Sequence, residues 1–249
     1  MFTRLLVGLD GSPQADVALE QAVELGRRFQ ATIFVAHVRE RKRGDGSALL
    51  ERARLRVAAA ALAVESVERD GDPDLVLGEL ARDADAVLIG RRGGTAQGDS
   101  LGSTAAALVR HSERCVIVCA SAPTPMRACA VAFDGRPTSL RALELAGRFM
   151  SIVGGTVHII HANPDRDAGL RVVGVAEATL SLQGVAFVTH VEDGVPGTVV
   201  ATVVKRTRCD SLFAGAHVRR QGAGRPSPVV VSHAEQILLH TDIPVCILP

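Results

Sequence analysis

Short apolar runs rich in β-branched residues alternate along this chain with longer stretches whose apolar residues recur every three or four positions. In the N-terminal half, Leu5–Leu9, Thr32–Val38, Val64–Glu68, Ala86–Gly90 and Val116–Cys119 read as strands. Between the first two, Ala15, Ala18, Leu19, Ala22, Val23 and Leu25 share one helical face of Pro13–Phe29. Ser12-Pro13 predicts the start of that helix, with Ser as N-cap and Pro at the first helical position. Strand–helix alternation with short links demands crossovers, hence a parallel sheet with helices on both faces. Five strands in βαβαβαβαβ order predict a doubly wound, Rossmann-like domain. Ligands of such a sheet sit beyond the carboxyl ends of the strands, where the strand order reverses.

The same pattern is then written a second time. Arg4-Leu-Leu-Val-Gly-Leu-Asp10-Gly-Ser-Pro13 resembles Ala128-Cys-Ala-Val-Ala-Phe-Asp134-Gly-Arg-Pro137, and Thr32–Val38 resembles Thr156–Ala162. Asp10 and Asp134 are 124 residues apart, as are His37 and His161, while Asp85–Gly90 matches Asp210–Gly215 at an offset of 125. The last strands match at about 129, so about four residues have been added between Gly215 and Val245. The Pro-punctuated seam Ala120-Ser-Ala-Pro-Thr-Pro125 is read as a linker. The expected organisation is two tandem doubly wound five-stranded parallel sheets, residues 1–122 and 126–249.

Composition narrows the chemistry. The 249 residues carry 28 Lys+Arg against 27 Asp+Glu, so no basic excess exists to attract a nucleic-acid backbone. With no Trp, no Tyr and seven Phe, stacking platforms for single strands are nearly excluded. The two lysines, Lys42 and Lys205, do not follow a glycine, which removes the P-loop. Five irregularly spaced cysteines are not a disulfide framework; Cys115, Cys119, Cys129, Cys209 and Cys246 are expected to be buried, reduced thiols. Met1–Leu9 is neither a signal peptide nor a span, and no apolar run reaches the ~18 residues a membrane helix needs. The expected location is the cytoplasm.

Three segments converge on the predicted ligand end: Gly8-Leu9-Asp10, His37-Val38, and the stretch that follows Gly90. That stretch, Gly90-Arg-Arg-Gly93-Gly94-Thr-Ala-Gln-Gly98-Asp-Ser-Leu-Gly102-Ser103-Thr104, enters a helix after spaced glycines. Such a loop presents backbone N–H groups to an anion. Ser103 reads as the N-cap of that helix. His37 and His161 recur at equivalent positions, which favours a role in the fold. His158 and His161 lie three apart on a strand, face opposite ways, and are not a metal pair. His233 and His240, two helical turns apart, are too distant to share a metal without further ligands.

At these residues the sequence resembles the universal stress proteins in their tandem two-domain form. The resemblance covers essentially the whole chain and rests on Asp10-Gly-Ser12, His37-Val38, Gly71-Asp-Pro73, Asp85-Ala-Val-Leu-Ile-Gly90 and Gly102-Ser103. The family's ATP-binding pattern is Gly-x2-Gly-x9-Gly-Ser/Thr. Here Gly90-x2-Gly93 fits, and eight residues instead of nine separate Gly93 from Gly102. The resemblance implies that ATP, with or without Mg, is held by Leu9, Asp10, Val38, Gly90, Arg91, Gly93, Gly102, Ser103 and Thr104. In it Asp10 faces the ribose–adenine side and the Val38 backbone meets the adenine edge. Gly90 and Gly93 let the chain approach ribose and phosphates, Gly102, Ser103 and Thr104 cap the phosphates, and Arg91 and Arg92 offset their charge. It also implies that the two halves pair as a pseudo-dimer through their last strands, and that two chains form a homodimer.

The second half departs from this pattern. Val38 is replaced by Ala162 and Gly93 by Val218; Pro226 and Pro228 offer no N–H, and the Gly-Ser position is Val231-Ser232. That half is expected not to bind nucleotide in the same way. No serine elbow, Cys–His pair or carboxylate pair sits in one predicted site. The expected function is a nucleotide-modulated stress-response protein with an adenine nucleotide and an unidentified protein as partners, not nucleic acid or membrane. The alternatives are an interaction protein without nucleotide and a slow ATPase.

Overall fold

The computed structural model describes residues 1–40, 46–93, 101–216 and 233–249. Contacts divide the chain into two units, Met1–Met126 with Asp242–Cys246, and Arg127–Thr241 with Ile247–Pro249. The first carries β1 (Arg4–Leu9), α1 (Pro13–Phe29), β2 (Thr32–Arg39), α2 (Ser47–Ala58), β3 (Val64–Asp70), α3 (Pro73–Leu80), β4 (Ala86–Ile89), α4 (Ser103–His111) and β5 (Cys115–Val118). Its strands run parallel in the order β3-β2-β1-β4-β5. The order therefore reverses at β1, between β2 and β4, which opens a crevice at the carboxyl ends of those two strands. Helix α1 forms as its periodicity predicts. The Ser12 hydroxyl accepts the Ala15 N–H at 3.2 Å, Pro13 opens the first turn, and Gln30 closes the helix in the left-handed region.

The second unit repeats the plan with β6 (Ala128–Ala132), α5 (Pro137–Val153), β7 (Thr156–Ala162), α6 (Arg166–Leu182), β8 (Ala186–Glu192), α7 (Pro196–Thr207), β9 (Ser211–Gly215) and α8 (His233–His240). The strands β8-β7-β6-β9 are again parallel. The last strand, β10 (Val245–Leu248), ends the chain, and in the second unit the Ala216 N–H donates to the Leu248 carbonyl at 2.6 Å.

Both cores are aliphatic, as the composition requires. Leu5, Leu6, Ile33, Leu88 and Ile117 are fully buried in the first unit, and Leu143, Phe149 and Phe213 in the second. The five cysteines are buried and unbridged, as expected. Burial and desolvation push the Cys119 thiol up to about 12 and raise that of Cys129. The strand-leading aspartates explain part of the repeat. Asp85 accepts hydrogen bonds from the Thr3 N–H (2.6 Å), the Thr3 hydroxyl (2.8 Å) and the Arg4 N–H (3.0 Å). Asp210 does the same for the Arg127 and Ala128 N–H groups at 3.0 and 2.8 Å. Each fastens the amino end of a central strand to its neighbour. Among the described residues no helix is long and apolar enough to cross a membrane.

Candidate functional site

The carboxyl end of β1 is built from both sides. Leu9, the buried last residue of the strand, receives the Nδ1–H of His37 on its carbonyl at 2.8 Å. His161 makes the equivalent bond to the Phe133 carbonyl, also at 2.8 Å. The recurring histidine is therefore a tie between the ends of two adjacent strands and fixes the geometry of the crevice floor. Val38 follows on β2, half-buried and registered against Arg69 of β3.

Asp10 leaves β1 exposed, and its Oδ1 accepts the Ser12 N–H at 2.9 Å. Gly11 is in the left-handed region at φ 79°, so the chain turns sharply into α1. Across the crevice, Gly90 follows β4 and is buried against α1: a Cβ there would stand 2.9 Å from the Gln14 backbone carbon. The Gln14 side chain then accepts the Arg92 N–H at 2.6 Å, steering the chain out of the strand. Gly93 comes so close to Asp10 that a Cβ would lie 2.8 Å from its Oδ2. Asp10 and Gly93, 83 positions apart in sequence, are thus brought close together. Gln14 was missed. It is one polar residue in the first turn of an amphipathic helix, and its counterpart in the repeat is Thr138.

The far end of the glycine loop returns to the same place. The Gly102 N–H donates to the Arg91 carbonyl at 2.9 Å, and a Cβ on Gly102 would be 3.3 Å from Arg92 Cα and Gly93 N. Helix α4 begins at Ser103, with Gly102 in the cap position and no side-chain capping bond. The reading of Ser103 as N-cap is thereby corrected by one residue: Gly102 has the extended backbone of a cap, and Ser103 is already helical. Ser103 and Thr104 form the first turn, whose N–H groups have no acceptor within the helix and whose dipole end is positive. The Arg91 side chain is half-buried and turned toward Ile243, whose carbonyl lies 3.5 Å from its Nη2. Burial draws its pKa down, opposed by the nearby Asp242 carboxylate.

This arrangement can hold an elongated anion. It has a carboxylate and strand-end backbone at one side, glycines at the middle, and a helix N-terminus at the other. The loop between Gly93 and Leu101, with Gly94 and Gly98, lies outside the described residues.

The corresponding end of the second unit has the same skeleton with a different carboxylate environment. Gly215 presses against α5, where a Cβ would stand 2.6 Å from the Ser139 N. Asp134, like Asp10, accepts the N–H two residues on, and it has a hydroxyl and a guanidinium beside it as well. Its Oδ1 accepts the Ser139 hydroxyl at 2.7 Å and the Arg136 N–H at 3.0 Å, and the Arg136 guanidinium lies 3.7 Å from Oδ2. Ala162 stands where the first unit has Val38. Val218, Pro226, Pro228, Val231 and Ser232 fall outside the described residues, as does the side chain of His233.

Comparison with known proteins agrees with this architecture. The model of the Universal stress protein family matches twice, over residues 1–120 and 126–249. No curated protein matches the sequence. Among solved structures, a universal stress protein from Archaeoglobus fulgidus DSM 4304 superposes with a TM-score of 0.80 at 20% identity, covering 98% of this chain and 97% of its own. A universal stress protein from Pseudomonas aeruginosa UCBPP-PA14 gives 0.74 at 17% identity, over 99% of this chain and 93% of its own. A functionally unknown protein from Pseudomonas aeruginosa PAO1 gives 0.72 at 16%, over 99% and 92%. At these identities the likeness is one of fold.

Proposed function

The chain belongs to the universal stress protein family, and from that premise we propose that it is a stress-response protein whose first unit binds ATP and whose occupancy regulates association with a protein partner. The observation that carries this reading is the pinch of backbone at the β1–β4 crevice. A side chain at Gly90 or Gly93 would collide with Gln14 or Asp10, and one at Gly102 would crowd the Arg92–Gly93 backbone. Glycine at three converging close approaches is what a loop needs to lay its own backbone along a polyphosphate.

In this reading Asp10 bonds the ribose or adenine side, and Leu9 and the Val38 backbone border the base. Gly90 and Gly93 let the chain approach, and the first turn of α4 from Gly102 through Ser103 and Thr104 receives the phosphates. ATP supplies the polyanion whose charge the helix end and backbone N–H groups meet. Among the described residues no group of three or more His, Cys, Asp or Glu is placed to hold a metal.

The second unit is read as altered, because Ala162 stands in place of Val38 and Val218 in place of Gly93. The test is calorimetric titration of ATP into the full chain, with mass spectrometry of small molecules released on denaturing the purified protein. One nucleotide per chain is expected. No binding overturns the proposal and favours an interaction protein that works without nucleotide; release of ADP and phosphate on incubation favours a slow ATPase.

A further inference from the structure

Arg91 begins the glycine loop, and the simplest role for an arginine there is to neutralise phosphate. The geometry gives it another task. Its backbone carbonyl accepts the Gly102 N–H at 2.9 Å, which joins the two ends of the loop. Its side chain lies half-buried, with Nη2 3.5 Å from the Ile243 carbonyl. Asp242, the residue before, is itself anchored in the first unit, accepting the Ser121 N–H at 2.9 Å and the Ser121 hydroxyl. That anchorage holds the Asp242 carboxyl below its ordinary value, through the Ser121 hydroxyl first and the Arg91 charge last. Asp242–Cys246 pack with the first unit although they belong to the second repeat in sequence.

We propose that Arg91 is a positioning residue that ties the closed neck of the nucleotide loop to Asp242 and Ile243, so that the last residues of the chain set the affinity of the first unit for ATP. This rests on the ATP-binding reading above. A half-buried guanidinium that donates to a carbonyl is desolvated on its inner side. Turning it out to a phosphate would give up the Ile243 carbonyl and carry its charge away from Asp242. The neck it holds contains the residues that must stay within a few tenths of an ångström, Gly90, Gly93 and Gly102. Small displacements there cost affinity without any contact between Arg91 and ligand.

The test is a double-mutant cycle in the full chain: Arg91→Gln, Asp242→Asn and the pair, each titrated with ATP. Positioning through Asp242 predicts that each single variant weakens binding about 5- to 10-fold and that the pair is no weaker than either alone. Ser121→Ala removes one of the two bonds that hold Asp242 and should weaken binding less than Asp242→Asn does. If Arg91 instead binds phosphate, Asp242→Asn binds ATP like the wild type while Arg91→Gln does not, which overturns the inference. A readout that needs no ligand separates this from failure of the ATP reading. Hydrogen exchange over Ser103–Leu108, corrected for intrinsic rates, should accelerate equally in Arg91→Gln and Asp242→Asn. Unchanged exchange in Asp242→Asn also overturns it, whether or not the wild type binds ATP.

Discussion

A carboxylate is worth what its neighbours leave it free to do, and three aspartates show the range. Asp10 and Asp134, both exposed at the same repeat position, each accept the N–H two residues on; Gly93 closes on Asp10, and Asp134 also accepts the Ser139 hydroxyl. Asp10→Ala should weaken ATP binding by about 1.5–3 kcal/mol, roughly 10- to 150-fold, if the carboxylate makes one charged hydrogen bond to the nucleotide. Gly93→Val should abolish binding by bulk with the melting temperature retained, and Asp134→Ala should leave affinity unchanged. Calorimetric titration of the three variants checks this, and equal losses for Asp10→Ala and Asp134→Ala would remove the asymmetry between the units.

Asp85 belongs to the fold instead. Burial acts to raise its pKa, but the bonds from the Thr3 N–H, the Arg4 N–H and the Thr3 hydroxyl outweigh it and hold it below the ordinary 3.8. A depressed carboxyl contributes stability that is present above 3.8 and lost as pH falls through its folded value. Asp85→Asn should therefore cost about 1–2 kcal/mol at neutral pH after solvent screening, and flatten the acid limb of a stability–pH curve below pH 4.

Between elements, the decisive contacts are lateral, and β7–β8 carries one that reports pH. His158 Nδ1 and His190 Nε2 are 3.0 Å apart, and the rings are 20° from coplanar with centroids 5.3 Å apart. That separation fits an N–H···N bond running in line with both rings, not stacked faces. Arg206 of α7 lies 3.5 Å from His190 Nδ1 and pairs with Glu192. Arginine only donates, so His190 accepts at Nδ1, carries its proton on Nε2 and donates to His158. Desolvation lowers both histidines below the ordinary 6.5; the charges of His158 and Arg206 lower His190 further, and Glu192 opposes them.

A lowered histidine has the opposite sign from a raised one. Below about 6.5 the unfolded chain takes up protons that the folded pair refuses, and stability is lost as pH falls. Hydrogen exchange of Thr156–Ala162 and Ala186–Glu192 should lose protection between pH 7.5 and 5.5, by up to about tenfold per pH unit for each proton refused. His190→Gln should remove much of that dependence. Equal pH dependence in the variant and the wild type would show that other groups carry it.

At the scale of the whole molecule, the absence of aromatic bulk puts the burden of cohesion on aliphatic packing, and the cysteines serve as apolar filler within it. With Cys119 pushed up to about 12, and Cys129 and Cys209 also raised by burial, these thiols are protonated at ordinary pH and shielded from reagents. Iodoacetamide at pH 8 should leave all five thiols of the native chain unmodified, read as intact mass, and label them on unfolding in urea. Because the chain divides into two units, intermediate urea should label one set before the other: Cys115, Cys119 and Cys246 together, Cys129 and Cys209 together. Labelling of Cys246 with the second set would contradict the assignment of Asp242–Cys246 to the first unit.

The order of elements, the parallel sheets and the repeat were legible in the sequence because each is written in local periodicity. Alternating apolar runs, the 3.6-residue stripe of α1 and the Ser-Pro helix start need no knowledge of distant partners. The tie made by His37 was also foreshadowed, since its recurrence as His161 pointed to the fold. For the candidate site, the spacing of Gly90, Gly93 and Gly102 located a loop able to come close to something. What it comes close to is a matter of register between strands and of the angle at which α1 crosses them. Only the tertiary structure placed Gly93 on Asp10, Gln14 under the Arg92 N–H, and Ser139 on Asp134. It alone supplied His190 as the partner of His158 and sent Arg91 toward Ile243, 152 residues away. Periodicity records which face a side chain takes; the neighbour it meets there depends on which strand lies alongside, and that is decided by packing of the whole sheet.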